Sequence, residues 1–225
     1  MGGEKHYPIE LPALPISEAL EKAGMAEEKM ELEKLFIKHA DCIRATGIYY
    51  PPHEVNYEQT IVVPAADVLL QVYLLTKEEK YLDAVKQHIT LLDMFNGQQP
   101  DYHLHETAIR HWDGYWFGKR KLYGDTFPHY WSAETGVVFT RYGMITGESK
   151  WLEKGRRSLR GVLPMIHADG SASCAYLFPL TVNGKPGKYF DPYANDQDWG
   201  LYVMNRDINS LRKYPGFQDQ LNEHE

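Results

Sequence analysis

The sequence predicts an all-α protein built of packed helical hairpins, with one small β-hairpin inserted near the C-terminus. Segments that are apolar on nearly every face alternate with amphipathic ones. A short turn motif also occurs twice, as TKEEKYL over Thr76–Leu82 and as TGESKWL over Thr146–Leu152. A repeated unit that keeps the same order of buried and half-buried helices is typical of αα-hairpin arrays.

Composition fits one folded chain with many aromatic residues. The 225 residues are 43% hydrophobic and 24% charged, so we expect a single domain over residues 1–225. A formal net charge of −7 argues against nucleic acid as a partner, and no apolar run is long enough for a membrane span. The N-terminus lacks the apolar core of a signal peptide, which fits a cytoplasmic protein or a trimmed form of an exported one. The two cysteines, Cys42 and Cys174, fit buried thiols better than a disulfide.

The first part of the chain predicts an extended segment and two helices. Residues 1–15 are interrupted by prolines, and Ser17 is placed to cap a short helix that ends at Gly24. A longer helix is expected over Ala26–Thr46, with Gly47 as its stop. The residues expected on its apolar face are Leu32, Leu35, Phe36, His39 and Ile43.

The first predicted hairpin follows a loop that contains Pro51-Pro52. Its inner helix is expected to begin at Pro64, because a proline in the first turn leaves no N–H unpaired, and to end at Thr76. This helix is apolar on all sides and is therefore expected to be buried. The outer helix ends before Asn96-Gly97. Its expected buried stripe contains Tyr81, Val85, His88, Leu92 and Phe95, with His39 and His88 as packing histidines.

The second predicted hairpin has an inner helix over 132–145, with Ser132 as its cap, and an outer helix over 149–163. Beyond it, alternating residues predict a β-hairpin over 172–190 with Asn183-Gly184 and Pro186-Gly187 at its tip. An acidic loop then leads into a third apolar helix, for which Asp196 or Asp198 is the expected cap.

Aromatic and polar side chains are concentrated before each apolar helix, above all in RHWDGYWFGKRKLYGDTFPHYWSAETG from Arg110 to Gly136. If the hairpins stack in the same orientation, these loops meet at one end of the fold. Aromatic faces combined with hydrogen-bonding side chains are typical of carbohydrate sites. The expected substrate-binding residues are Tyr57, Arg110, His111, Trp112, Tyr115, Trp116, Trp131, Asp198 and Trp199.

The hairpin order, the T-x-E-x-K-[YW]-L turn, the GYWFG and FPHYWSAETG loops and the helix start NDQDWGLY resemble the α/α-toroid carbohydrate-active enzymes. These comprise six-hairpin glycosidases and polysaccharide lyases built on the same toroid. The resemblance covers about residues 50–206. It implies an enzyme that cleaves a glycosidic bond in a poly- or oligosaccharide. Four histidines between Asp101 and Tyr130, beside the basic stretch GKRK, fit a uronate-containing substrate slightly better than a neutral one. Only about three hairpins fit in the chain. The resemblance therefore implies an incomplete toroid, a C-terminal portion of a larger enzyme, or part of a homo-oligomer.

Two chemistries follow from this resemblance. A glycosidase needs two carboxylates across the scissile bond, and Asp113 and Asp125 are the expected acid/base pair, with Glu134 as a further candidate. A lyase instead removes the proton next to a uronate carboxyl group, and it needs a base and a cation. For that reaction the expected base is His129 or Tyr130.

Arg110 is the expected carboxylate clamp of a lyase. Several candidates also have structural interpretations: Glu134 fits a residue that opposes a helix dipole, and Asp198 fits a helix cap. His103-Leu104-His105 is a weak metal pattern, so we expect no metal and no cofactor.

The expected partner is a carbohydrate. The alternative function is a non-catalytic glycan-binding module or helical-repeat scaffold.

Overall fold

The computed structural model describes residues 13–48, 59–93, 130–161, 168–170, 181–182, 185–186, 205 and 209. In these ranges the fold is all-α apart from one two-residue β-ladder, in agreement with the expected class. The chain divides into two compact units, Met1–Leu92 and Asp93–Glu225. The single domain expected over residues 1–225 stays a prediction.

The first unit contains α1 (Ala13–Lys22), α2 (Ala26–Thr46), α3 (Gln59–Thr76) and α4 (Glu79–Leu92). The bounds of α2 are those predicted, and it stops at Gly47, whose φ of 70° lies in the region that favours glycine. The Gly47 N–H donates to Ile43 O at 2.9 Å, which satisfies one of the last helical carbonyls.

Helix α1 begins earlier than the sequence predicted, at Ala13 rather than after Ser17. Pro15 is compatible with this start, because the first helical N–H groups have no intrahelical partner. Ser17 does not cap the helix: it is buried and its hydroxyl donates to Glu33 of α2. The N–H of Leu14 is instead accepted by Oε1 of Gln71 at 3.2 Å, so a buried amide of α3 supports the first turn of α1.

The predicted apolar face of α2 is correct only in part. Phe36 and Ala40 are buried, whereas Leu35 is 58% exposed and His39 is half-buried. Cys42 is a free and exposed cysteine, so the prediction of a buried thiol is wrong at this position, while Cys174 lies outside the described residues. Apolar residues recur at helical spacing along the whole of α2. This spacing therefore could not show which part of the helix packs against a neighbour and which part faces solvent.

Helix α3 is buried nearly all round, as predicted. The buried side chains are Ile61, Val62, Val63, Ala65, Ala66, Val68, Leu69, Leu70 and Val72. Its start differs from the prediction, because it begins at Gln59 and Pro64 is its sixth residue. Pro64 provides no N–H for the carbonyl four residues earlier. Burial of the apolar residues around it offsets this loss.

Helix α4 presents the predicted stripe to the core, with Tyr81, Val85, His88 and Leu92 buried. Phe95, the last expected member, lies outside the described residues. The Tyr81 hydroxyl donates to Asp41 Oδ1 at 3.1 Å, which joins α4 to α2. The first unit is therefore held by an apolar α3 core and by polar contacts at its margins.

The second unit contains α5 (Tyr130–Thr146), α6 (Ser149–Gly161), β1 (Thr181–Val182) and β2 (Lys185–Pro186). Helix α5 begins two residues before Ser132, the predicted cap. The ladder pairs Thr181 with Pro186 and Val182 with Lys185, so Pro186 lies in a strand and not at the predicted tip. The rest of the hairpin expected over 172–190 lies outside the described residues. Asn205 and Asn209 are helical, in the segment where a third apolar helix was expected, and their side chains hydrogen-bond at 3.0 Å.

Helices α5 and α6 approach each other through glycines. A Cβ atom placed on Gly155 would lie 2.2 Å from Thr140 Oγ1 and 2.7 Å from Gly136 O. A Cβ atom on Gly136 would lie 2.9 Å from Gly155 O. The two backbones are therefore in direct contact, at a separation that side chains larger than hydrogen do not permit.

The two predicted turn repeats have the same structure. Thr76 Oγ1 donates to Val72 O at 2.9 Å and accepts the Glu78 N–H at 3.2 Å. Thr146 Oγ1 donates to Tyr142 O at 2.9 Å and accepts the Glu148 N–H at 3.4 Å. In both turns the threonine hydroxyl hydrogen-bonds a carbonyl in the last turn of the inner helix. It also accepts a backbone N–H of the turn that leads to the outer helix.

The residues that follow these threonines correspond too. Lys77 and Gly147 both have positive φ, 58° and 74°. The next aromatic residue is buried in each copy, Tyr81 in the first and Trp151 in the second. A lysine ammonium lies over each ring, Lys80 Nζ at 4.7 Å and Lys150 Nζ at 4.6 Å from the ring centroid. The sequence repeat is therefore a repeat of three-dimensional structure.

Candidate functional site

Three of the predicted site residues lie in described helices, and all three belong to α5. Tyr130 and Trp131 are the first two residues of α5, where the sequence had placed them in a loop. Glu134 follows one turn after Tyr130 and is 8% exposed.

The remaining predicted site residues lie outside the described residues. They are Tyr57, Arg110, His111, Trp112, Asp113, Tyr115, Trp116, Asp125, His129, Asp198 and Trp199. The convergence of their loops into one ring-lined cleft stays a prediction. The structure does describe α5, the helix that follows the aromatic stretch beginning at Arg110 in the sequence.

The burial and position of Glu134 overturn one of its two interpretations. It is the fifth residue of α5, and the first turn of this helix contains no acidic residue. Because the effect of a helix dipole falls off within the first turn, opposing the dipole does not account for Glu134. A carboxylate is costly to bury unless other groups compensate its charge. Glu134 is therefore a carboxylate that this fold retains in a buried place.

Buried polar groups accompany Glu134 in the second unit. Thr135 and Ser158 are fully buried, and Thr140 is 3% exposed. Thr140 Oγ1 donates to Gly136 O at 2.8 Å, one turn back along α5. This hydroxyl is satisfied by the helix backbone, which allows the polar side chain of Thr140 to be buried.

An open groove of about 390 Å³ lies in the first unit, between α2, α3 and α4. Its lining residues are Leu35, Lys38, His39, Cys42, Ile43, Thr46, Gly47, Ile48, Ile61, Val62, Ala65 and His88. None of these lining residues is Tyr, Trp or Phe, so the groove differs from the ring-lined site that the sequence predicts. Sequence reasoning missed it because the α2 residues on its rim were expected to be buried.

His88 in this groove is a packing histidine, as predicted. It is 2% exposed, and its Nδ1 lies 2.8 Å from Ala84 O, which makes Nδ1–H the donor. Burial lowers the pKa of His88 from its ordinary value of 6.5, and the backbone hydrogen bond opposes that shift only in part. Among the described groups, its buried Nε2 has no hydrogen-bond partner. Burial therefore favours the neutral form of the ring.

Neither a metal nor a membrane feature is found in the part of the chain that the structure describes. No three His, Cys, Asp or Glu side chains there are grouped so that they could hold a metal ion. None of the helices in those ranges is both long and apolar enough to span a membrane.

Comparison with solved structures found a protein that is similar to this chain in both sequence and fold. One solved structure, a polysaccharide lyase, is 48% identical in sequence over 92% of this chain, with a TM-score of 0.73. The chain spans 31% of the length of that lyase. No protein-family profile matches the chain, and no curated protein matches it in sequence. A likeness at this identity covers sequence as well as fold, and it associates the chain with carbohydrate-active proteins.

Proposed function

We propose that this chain is part of an enzyme that cleaves a uronate-containing polysaccharide by elimination. The observation that carries the proposal is the 48% identity and TM-score of 0.73 to a polysaccharide lyase over 92% of the chain. Of the two chemistries that the sequence left open, this relationship favours elimination over hydrolysis. The helical hairpins are proposed to belong to an α/α toroid, of which this chain supplies a part.

In the proposed reaction a base removes the proton on the carbon next to the uronate carboxyl group. The released electron pair forms a carbon–carbon double bond, the neighbouring carbon–oxygen bond breaks, and the leaving oxygen takes up a proton. The reaction needs a base and groups that stabilise negative charge on the carboxyl oxygens. Tyr130 or His129 is the proposed base, and Arg110 is the proposed partner of the carboxylate.

The start of α5 suits this chemistry. Tyr130 and Trp131 occupy its first two positions, where backbone N–H groups lack intrahelical acceptors and the helix dipole favours negative charge. Glu134, one turn further and buried, is proposed to act at the same site. Under hydrolysis the catalytic pair would instead be Asp113 and Asp125.

Incubation of the protein with a panel of uronate-rich and neutral polysaccharides tests the proposal. New ultraviolet absorbance from an unsaturated uronate is expected with the uronate-rich polymers. Reducing ends without that absorbance would identify a hydrolase, and Asp113→Asn and Asp125→Asn should then abolish turnover. Absence of both signals, with polymer still bound, would replace the proposal with a non-catalytic glycan-binding module. Binding would then be lost in Trp112→Ala or Trp116→Ala.

Tyr130→Phe tests the proposed base, since it removes only the hydroxyl. We expect kcat to fall by about 10²–10⁴-fold if Tyr130 transfers the proton. Tyr73→Phe is the matched control, because it also removes only a tyrosine hydroxyl. The Tyr73 hydroxyl lies near the C-terminal end of α3, 3.4 Å from Glu79, and has no proposed role in the reaction. Full activity of Tyr130→Phe would move the role of base to His129.

A further inference from the structure

Helix α6 concentrates positive charge in an acidic chain. It contains five Lys and Arg and one Glu in 13 residues. The whole chain contains 24 Lys and Arg against 31 Asp and Glu, so the residues outside α6 contain 19 against 30. The outer helix α6 therefore has a net positive charge, whereas the rest of the molecule has a net negative charge.

The turn repeat shows that packing does not require this charge. Helix α4 is the equivalent helix of the first copy, and it contains two Lys against one Glu and one Asp. Three α6 cations replace neutral residues of α4: Lys154 stands in place of Ala84, Arg157 in place of Gln87, and Arg160 in place of Thr90. Both helices follow the same turn and bury the same aromatic position, so the three cations are additions to a common fold.

These three cations follow one another in a row along the surface of α6. They are three residues apart, which gives a rise of about 4.5 Å and a rotation of about 60° between successive positions, so each cation neighbours the next one. Arg157 and Arg160 are exposed, as is Lys150 at the start of the helix. The rise between neighbouring cations is comparable to the length of one sugar ring.

The intramolecular contacts of the exposed arginines of the row are weak competitors for a ligand. Arg157 Nε contacts Glu153 Oε1 at 2.7 Å, Arg156 also pairs with Glu153, and Lys154 Nζ contacts Asp93 Oδ1 at 2.6 Å. The side chain of Arg157 is 49% exposed and that of Glu153 is 40% exposed. The exposed Arg157–Glu153 pair contributes little to stability, so a multivalent anion can displace or share it, whereas the Lys154 side chain is only 15% exposed.

We propose that the row Lys154, Arg157 and Arg160 of α6, of which Arg157 and Arg160 are exposed, binds an anionic polysaccharide outside the cleavage site. The proposal rests on the proposed function for the class of polymer, and the charge row itself supplies the binding surface. Guanidinium groups bind carboxylates with two parallel hydrogen bonds. A polyuronate carries one carboxylate per sugar, which matches a single row of cations. Nucleic acid carries far denser charge, about one per 1.7 Å of duplex, so the acidic remainder of the chain repels it more strongly than it repels a polyuronate.

Affinity electrophoresis in native gels tests the proposal. The gels contain polygalacturonate, a neutral glucan or double-stranded DNA. The double variant Arg157→Gln/Arg160→Thr restores the residues that α4 has at these positions. We expect its apparent Kd for polygalacturonate to rise about tenfold, about threefold per exposed cation. The matched control Lys22→Gln/Lys86→Gln removes the same charge from exposed positions of α1 and α4, and its Kd should stay within about twofold of the wild type.

A second variant distinguishes loss of positive charge from loss of structure. Arg157→Lys/Arg160→Lys keeps the charge and should keep most of the retardation, while circular dichroism checks that every variant is folded. Equal weakening in the α6 variant and in the control, or retardation by the neutral glucan, contradicts the proposal. Stronger retardation by DNA than by polygalacturonate would assign the row to nucleic acid instead.

The outcome can be separated from that of the proposed function. Retardation requires no turnover, so it can be positive in a protein that cleaves nothing. Cleavage of a short oligouronide should be unchanged in Arg157→Gln/Arg160→Thr, because neither side chain is a proposed catalytic group. Loss of that cleavage together with polymer binding would place the row in the cleavage site and contradict a separate surface.

Discussion

Replacing Gly155 by alanine tests whether direct backbone contact sets the spacing of α5 and α6. The added Cβ would lie 2.2 Å from Thr140 Oγ1, 2.7 Å from Gly136 O and 2.9 Å from Thr140 N. Rotation of the Thr140 side chain relieves the first contact but neither of the other two, because those atoms belong to the backbone. The helices must therefore separate.

Two effects of opposite sign decide the result. Alanine is a better helix former than glycine by about 0.5–1 kcal/mol in a helix interior. Overpacking costs about 1–3 kcal/mol. Loss of the Thr140–Gly136 hydrogen bond adds about 1 kcal/mol. The sum is a decrease of about 2 kcal/mol in the free energy of unfolding, measured by urea denaturation followed by circular dichroism.

A double-mutant cycle separates the side-chain contact from the backbone contacts. Thr140→Ala removes the hydroxyl that the new methyl group meets first, so Thr140→Ala/Gly155→Ala should be less destabilised than the sum of the single variants by at least about 0.5 kcal/mol. A Gly155→Ala protein as stable as the wild type would refute the reasoning. The helix spacing would then depend on something other than this glycine.

Three further predictions concern the turns and the first unit. Lys77→Gly should raise the free energy of unfolding by about 0.5–1 kcal/mol, because Lys77 has a φ of 58° where the second copy has Gly147; urea denaturation of Gly147→Lys should show the opposite sign. Because burial lowers the pKa of His88 below 6.5, the unfolded state binds more protons in acid. Stability should therefore be full above pH 6.5 and fall below it, with a shallower fall in His88→Gln; an equal pH dependence in both proteins would exclude His88 as the cause. Tyr81→Phe should lower the free energy of unfolding by about 1 kcal/mol through loss of the bond to Asp41, and no change would mean that solvent replaces that bond.

The repeats made most of the helices predictable. The bounds of α2, the burial of α3 and the stripe of α4 follow from periodicity and from the stop at Gly47, which act within one helix. The positions of the turns follow from residues that recur in both copies. Such signals are local, so a single sequence contains them.

Features that depend on neighbouring helices could not be predicted in this way. The start of α1 depends on Gln71, which is 57 residues from Leu14 in the chain. Pro64 is tolerated inside α3 because burial compensates the missing hydrogen bond. The exposure of Leu35 and Cys42 depends on which part of α2 has a partner, and periodicity does not carry that information.

The sequence predicted a carbohydrate-related function, whereas the roles of the candidate site residues stay predictions. The aromatic and acidic composition of the loops indicated a carbohydrate, and the similarity to a polysaccharide lyase agrees with that class. The sequence placed Tyr130 and Trp131 in a loop because aromatic residues next to a proline do not form a helical pattern. They open α5 instead, which changes the expected backbone around the proposed base.

The glycine contact between α5 and α6 has a consequence for evolution of the site. Gly136 lies six residues after Tyr130, so fewer than two helical turns separate the backbone junction from the proposed base. A substitution at Gly155, on a helix that contributes no predicted catalytic group, would shift the proposed base relative to its substrate. Selection on turnover would then act on the outer helix as well, and homologues that lose the glycine should carry compensating small residues on α5.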